Sequence, residues 1–134
     1  ATWMYDLPGY GLPIRGNLPM NLAKAALYGG KVRVSSRDYR GITYVRQAVE
    51  NLLPATALPG GVYNYGSENQ YDMVTTARAF AEAMQLPNAD TLIEAADWPR
   101  NLAMDCAKLH GHGIRLDATQ DGICRCLRDY GLIK

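Results

Sequence analysis

Short β-forming runs alternate with helical stretches along this whole chain, and the clearest such unit is residues 60 to 84, GGVYNYGSENQYDMVTTARAFAEAM. Residues 62 to 65 read as a strand, and Gly66 with a polar break follows it. Asp72 then stands as N-cap to a helix reaching about Gln85, with Met73, Ala77, Phe80, Ala81 and Met84 on one face. The same order recurs on either side. A strand over residues 2 to 5 precedes a Gly/Pro-rich loop, a helix near 20 to 28 ends at Gly29-Gly30, and KVRVS at 31 to 35 alternates as a half-buried strand. After a loop and a short extended piece in RDYRGITYV, a helix over 45 to 53 closes at Pro54. Beyond Pro87 come a strand at 92 to 95, a helical turn at 105 to 109 and a terminal helix near 119 to 130, with Ile123, Leu127 and Tyr130 inward.

Such alternation predicts an α/β fold with parallel strands. The loop with which many such folds cradle a dinucleotide, G-x-G-x-x-G between a first strand and helix, does not occur in the sequence. No binding of NAD(H) or NADP(H) by this chain is therefore expected.

At 134 residues the chain has the size of one domain, taken as 1 to 134, and its 48% hydrophobic and 20% charged residues are globular proportions. A net charge of +1 predicts no affinity for nucleic acid or an anionic membrane surface, so an anionic ligand needs a few placed residues. No apolar run nears the roughly 20 residues that span a bilayer, and no secretory leader pattern opens the chain, which reads as soluble and cytoplasmic. The strand-like opening ATWMYD reads as the interior of a longer polypeptide. Cys106, Cys124 and Cys126 are odd in number, which suits a reduced chain; a zinc site drawing on them with His110 and His112 is the alternative to buried thiols and loop histidines.

Four segments, WMY at 3 to 5, DYRGITYVRQAVENLL at 38 to 53, the 60 to 84 unit, and WPRNLAMDCAKL at 98 to 109, occur in that order. Together they resemble the C-terminal half of the extended short-chain dehydrogenases/reductases, in particular the dTDP-4-dehydrorhamnose reductases. That family reads approximately S-W-V-Y, D-Q-Y-R-T-P-T-Y-V-x-D-L-A, G-x-Y-H-x-x-G and R-P-x-N-S-x-L-D-x-x-K-L at matching places. The resemblance implies part of a Rossmann-type fold, a few parallel strands plus a small helical substrate-binding lobe. It also implies a nucleotide-sugar substrate, and an N-terminal half outside these residues carrying the cofactor loop, the NAD(P)H site and the catalytic Tyr and Lys. The implied function is the substrate-binding portion of a nucleotide-sugar reductase acting on a dTDP-4-keto-6-deoxyhexose-like substrate. A non-catalytic binding or interaction module derived from the same fold is the alternative. Tyr130 and Lys134 form the one Y-x-x-x-K of the sequence, but at the chain end they read as a helix terminus and no catalytic residue is assigned.

Four residues are candidates for substrate binding. Trp3 matches the family Trp that packs on the sugar, with a core strand residue as its alternative. Arg40 matches an Arg that faces the diphosphate, where a planar fork suits phosphate, with an exposed loop Arg as its alternative and Arg37 as a weaker candidate. Asn17 falls where the family places an Asn before a helix, serving either the ligand or the helix start. Arg100 stands two positions from Trp98, which occupies the place of the family's Arg. Gln47 likewise replaces an Asp and Ile42 a Pro, so the sugar and the base stay open. Strand edges left unpaired by an absent half predict self-association through the segment around Trp3, with Met4 and Tyr5 buried against a neighbour or the chain's own helices.

Overall fold

The computed structural model describes every residue except Thr2, so one end of the expected strand at 2 to 5 lies outside the described residues. The rest of that strand is β1, Trp3–Tyr5. It is followed by α1, Leu18–Tyr28, then β2, Val32–Ser35, β3, Asp38–Arg40, and β4, Ile42–Tyr44. Next come α2, Val45–Glu50, α3, Leu52–Thr56, and α4, Met73–Ala83. A 3-10 turn at Ala89–Leu92 leads into β5, Ile93–Ala96, and the chain ends with β6, Arg100–Leu102, α5, Ala107–Gly111, and α6, Thr119–Asp129.

The fold is α/β, and all three strand pairs are parallel: β1 with β4, β2 with β5, and β3 with β6. In register, Trp3 stands opposite Ile42, Tyr5 opposite Tyr44, and Arg40 opposite Leu102. Among the described residues the edge of β1 away from β4 carries no strand. Along β1 itself Tyr5 is buried by the chain's own helices, whereas Met4 is exposed. No helix is long and apolar enough to cross a membrane, and no group of His, Cys, Asp or Glu among the described residues is placed to hold a metal.

The helices begin where their caps dictate. Asp72 accepts the backbone N–H groups of Val74 and Thr75 on Oδ1, both at 2.9 Å, which satisfies donors that the first turn leaves orphaned. Its face of Met73, Ala77, Phe80 and Ala81 is buried as the spacing predicts. The main core joins that face to Tyr5, Leu22, Tyr44, Ile123 and Leu127, and α6 packs on both α4 and β4. A smaller cluster gathers Ala48, Leu109, Ile114 and Leu116, with Tyr63 and Tyr65 against it.

Three expectations are corrected. Residues 62 to 65 form no strand; they are held by side chains, with Lys108 Nζ donating to Val62 O at 2.9 Å and Tyr65 Oη to Ala48 O at 2.6 Å. Gly66 then turns at φ 156°, where a Cβ would stand 2.9 Å from Thr43 Oγ1. The helix expected over 45 to 53 is two short ones meeting at Asn51, and Pro54 sits inside the first turn of α3, where its missing N–H costs nothing. Finally RDYRGITYV supplies two strands, β3 and β4, and β6 is a strand that periodicity did not announce.

Candidate functional site

Trp3 opens β1 half in solvent, 52% exposed, and its indole is the surface on which two cavities meet. Beneath it lies Arg40, only 2% exposed, with its guanidinium carbon 4.1 Å from the centre of the indole ring. Arg40 Nε and Nη2 donate to Asp38 Oδ1 at 3.1 Å each, and Nη2 also reaches Oδ2 at 2.8 Å. β3 makes this possible because alternation puts positions 38 and 40 on one face, both buried, with Tyr39 turned outward. The pair is thus a closed fork with an aromatic lid; one guanidinium nitrogen, Nη1, is left without a partner among the described residues.

The first cavity, about 590 Å³, is bounded by Trp3, Arg40, Asn64, Asn101, Leu102 and Met104. It lies at the carboxyl ends of β3 and β6, the side of a parallel sheet on which ligands collect. The second, about 400 Å³, lies on the other flank of Trp3 and takes in Arg15, Asn17, Asn21, Arg33 and Val34. Arg33 is partly engaged, 3.4 Å from Glu94 Oε1 and stacked over Trp98, whereas the Arg15 guanidinium has no partner among the described residues.

The sequence candidates therefore fall unevenly. Trp3 and Arg40 come together at one cavity, and Trp3 and Asn17 at the other. Asn17 Oδ1 caps α1 by accepting from Met20 N at 3.1 Å, while its amide donates to Asp6 O at 2.9 Å, so its side chain is spent on the helix start. Arg100 is exposed on β6 and borders neither cavity. Arg15, Asn64 and Asn101 escaped the sequence reading. The signal available for them was an Arg set in a Gly/Pro loop, an Asn inside VYNYG, and an Asn among the residues matched in WPRNLAMDCAKL.

The departures from the family pattern have local reasons. Ile42 N donates to Thr119 Oγ1 at 3.0 Å, a bond that a Pro would forfeit. Gln47, buried, donates to Asp117 Oδ2 at 3.0 Å and accepts from Asp117 N at 2.7 Å, tying α2 to the approach to α6. Trp98 accepts on its carbonyl from Ser35 Oγ at 2.7 Å and lies under Arg33. Tyr130 is likewise structural: its hydroxyl sits 2.8 Å from Asp6 Oδ1 and 2.7 Å from Leu7 O, and burial followed by that hydrogen bond pushes its pKa up to about 12.

No protein-family model and no curated protein matches the sequence. Solved structures share its fold. The Bordetella bronchiseptica enzyme WbmH, in complex with NAD+, superposes with a TM-score of 0.61 at 20% identity, over 89% of this chain and 42% of that one. For the dTDP-4-dehydrorhamnose reductase of Bacillus anthracis, in complex with NADP, the TM-score is 0.67 at 14% identity, over 95% and 45%. The UDP-glucose 4-epimerase of Thermus thermophilus, in complex with NAD, gives 0.60 at 22%, over 96% and 44%. At such identities the likeness is one of fold, and this chain spans less than half the length of each of these three proteins.

Proposed function

We propose that this chain is the substrate-binding portion of an NAD(P)-dependent nucleotide-sugar reductase or epimerase, working with a dinucleotide-binding half that carries the nicotinamide cofactor and the catalytic Tyr and Lys. The observation that carries the reading is the exposed indole of Trp3, held over the Arg40–Asp38 pair where two cavities meet. A flat apolar face suits a pyranose ring, and the Arg15 cation on the other flank, without a partner among the described residues, suits a diphosphate. The three structural neighbours include a dTDP-4-dehydrorhamnose reductase and a UDP-glucose 4-epimerase, which supports this substrate class. Within it we favour a dTDP-4-keto-6-deoxyhexose-like sugar. Arg40 contributes by fixing the indole and offering Nη1; Asn17 contributes by setting the backbone at the cavity rim.

Calorimetric titration of the chain with dTDP-glucose and with UDP-glucose tests this. Saturable binding of either, weakened in Trp3→Ala, is expected, together with no binding of NADH or NADPH alone. Absence of binding by both sugar nucleotides overturns the proposal. A non-catalytic binding module remains the second reading, favoured by one observation: Tyr5, Leu22, Phe80 and Ile123 are buried within this chain alone. The mass of the native polypeptide separates the two, since the first reading needs a longer chain or a companion.

A further inference from the structure

The cavity at the carboxyl ends of β3 and β6 is lined by two asparagine amides whose senses are fixed by their own hydrogen bonds. Asn64 Nδ2 gives one N–H to Asp105 O at 2.8 Å, which leaves its side-chain oxygen free to accept and its second N–H free to donate. Asn101 is committed the other way, its Oδ1 accepting from Ala103 N at 3.1 Å, which leaves both N–H groups of its NH₂ free to donate. Neither amide can turn over without setting oxygen against oxygen at Asp105 or N–H against N–H at Ala103, so the two senses are fixed. The nearby Arg40 is neutralised by Asp38, and among the described residues the cavity's other lining groups carry no charged side chain, although the amino end of Ala1 borders it. Across Trp3, by contrast, the second cavity holds Arg15 and Arg33.

A wall whose two amides both donate and accept suits a group that does the same, as a sugar hydroxyl does; phosphate oxygens only accept and bring charge. We propose that Asn64 and Asn101 are specificity-determining residues that read the neutral sugar ring of the nucleotide sugar, while its diphosphate lies across Trp3 toward Arg15. This rests on the function proposed above and divides that site into an amide-lined part and a part that holds two further guanidinium groups. Both side chains are exposed and neither belongs to a core cluster, so truncating them leaves the core packing untouched.

The test compares each sugar nucleotide with its bare nucleotide, dTDP-glucose against dTDP and UDP-glucose against UDP, on the full chain by calorimetry. Asn64→Ala and Asn101→Ala are each expected to weaken the sugar nucleotide about two- to tenfold, the worth of one net hydrogen bond, and to leave the bare nucleotide unchanged. Arg15→Ala is expected to weaken both ligands together. The side-chain amide resonances of Asn101 are expected to shift with the sugar nucleotide and not with the bare one. Equal weakening of both ligands in the asparagine variants, or no weakening of either, overturns this inference while leaving the substrate class standing. Failure of the unsubstituted chain to bind any of the four overturns the parent proposal and this one with it.

Discussion

Trp3 and Tyr5 stand two residues apart on β1, on one side of the strand, and meet opposite fates: Trp3 is 52% exposed and Tyr5 is 2% exposed. Tyr5 is stacked against Tyr44, ring centres 5.9 Å apart, and meets Phe80 of α4 edge-on at 5.6 Å. Trp3 is stacked on the Arg40 guanidinium, 4.1 Å from its ring centre. The difference lies in what the amphipathic helices reach. α4 and α6 lay apolar faces over the carboxyl end of the β1 and β4 pair, and the strand's beginning is left to a polar stack beside two cavities. One side of one short strand thus serves the core at one end and the candidate site at the other.

Removing the cover at the buried end has the largest expected effect. Phe80→Ala empties the space against Tyr5 and should cost about 3–5 kcal/mol in urea unfolding, by lost burial plus the cavity left behind. A cost near 1 kcal/mol would mean that α4 does not hold that end of β1.

The open end is next. Asp38→Asn leaves the Arg40 guanidinium buried with a neutral partner, and about 3 kcal/mol of stability should go, the low end for breaking a buried pair because an amide oxygen can still accept. If the loss stays below about 1 kcal/mol, solvent reaches the pair and Arg40 is freer to meet a phosphate than its burial implies.

Alkali acts on the buried end in particular. Burial, with smaller contributions from neighbouring charges, pushes the Cys126 thiol from 9.0 up to about 12, and burial drives the Tyr5 and Tyr44 hydroxyls above their usual range. Folded values raised above unfolded ones make the protonated form the native one, so this stability is complete below about pH 9 and falls as pH climbs from there toward 12. Unfolding free energies measured from pH 7 to pH 11 should be level, then decline. Because Tyr5 Oη is buried without a hydrogen-bond partner among the described residues, Tyr5→Phe should soften that decline and cost little at neutral pH. A flat profile to pH 11 would show that these groups are hydrated.

What could be read from the sequence follows the range of the forces involved. The caps at Asp72 and Asn17 were legible because a cap is closed within three residues. The fold class was legible because alternation is a chain-long signal. The strand at 62 to 65 failed because a β-rich run becomes a strand only with a partner, and here Lys108 occupies Val62 O while the Tyr65 hydroxyl turns to Ala48. β6 was missed for the opposite reason: RNL has no strand signature, and it is a strand because it lies in register with β3. At the site, Trp3 and Arg40 could be named from the sequence, but not that Asp38, two residues from Arg40, would neutralise it.

The smallest expected stability change is at Trp3 itself, and it decides whether the two ends of β1 truly differ. Truncation in Trp3→Ala removes one cation–π contact, about 0.5–1 kcal/mol, and a half-exposed ring, while Arg40 keeps its bonds to Asp38. Stability should therefore fall by about 1 kcal/mol or less, several times below the loss in Phe80→Ala, although affinity for the sugar nucleotide that binds drops. Trp3→Phe keeps a ring over Arg40 and should recover part of that affinity. If Trp3→Ala unfolds as readily as Phe80→Ala, the indole is core after all, Arg40 depends on it for burial, and the ligand must be sought away from β1.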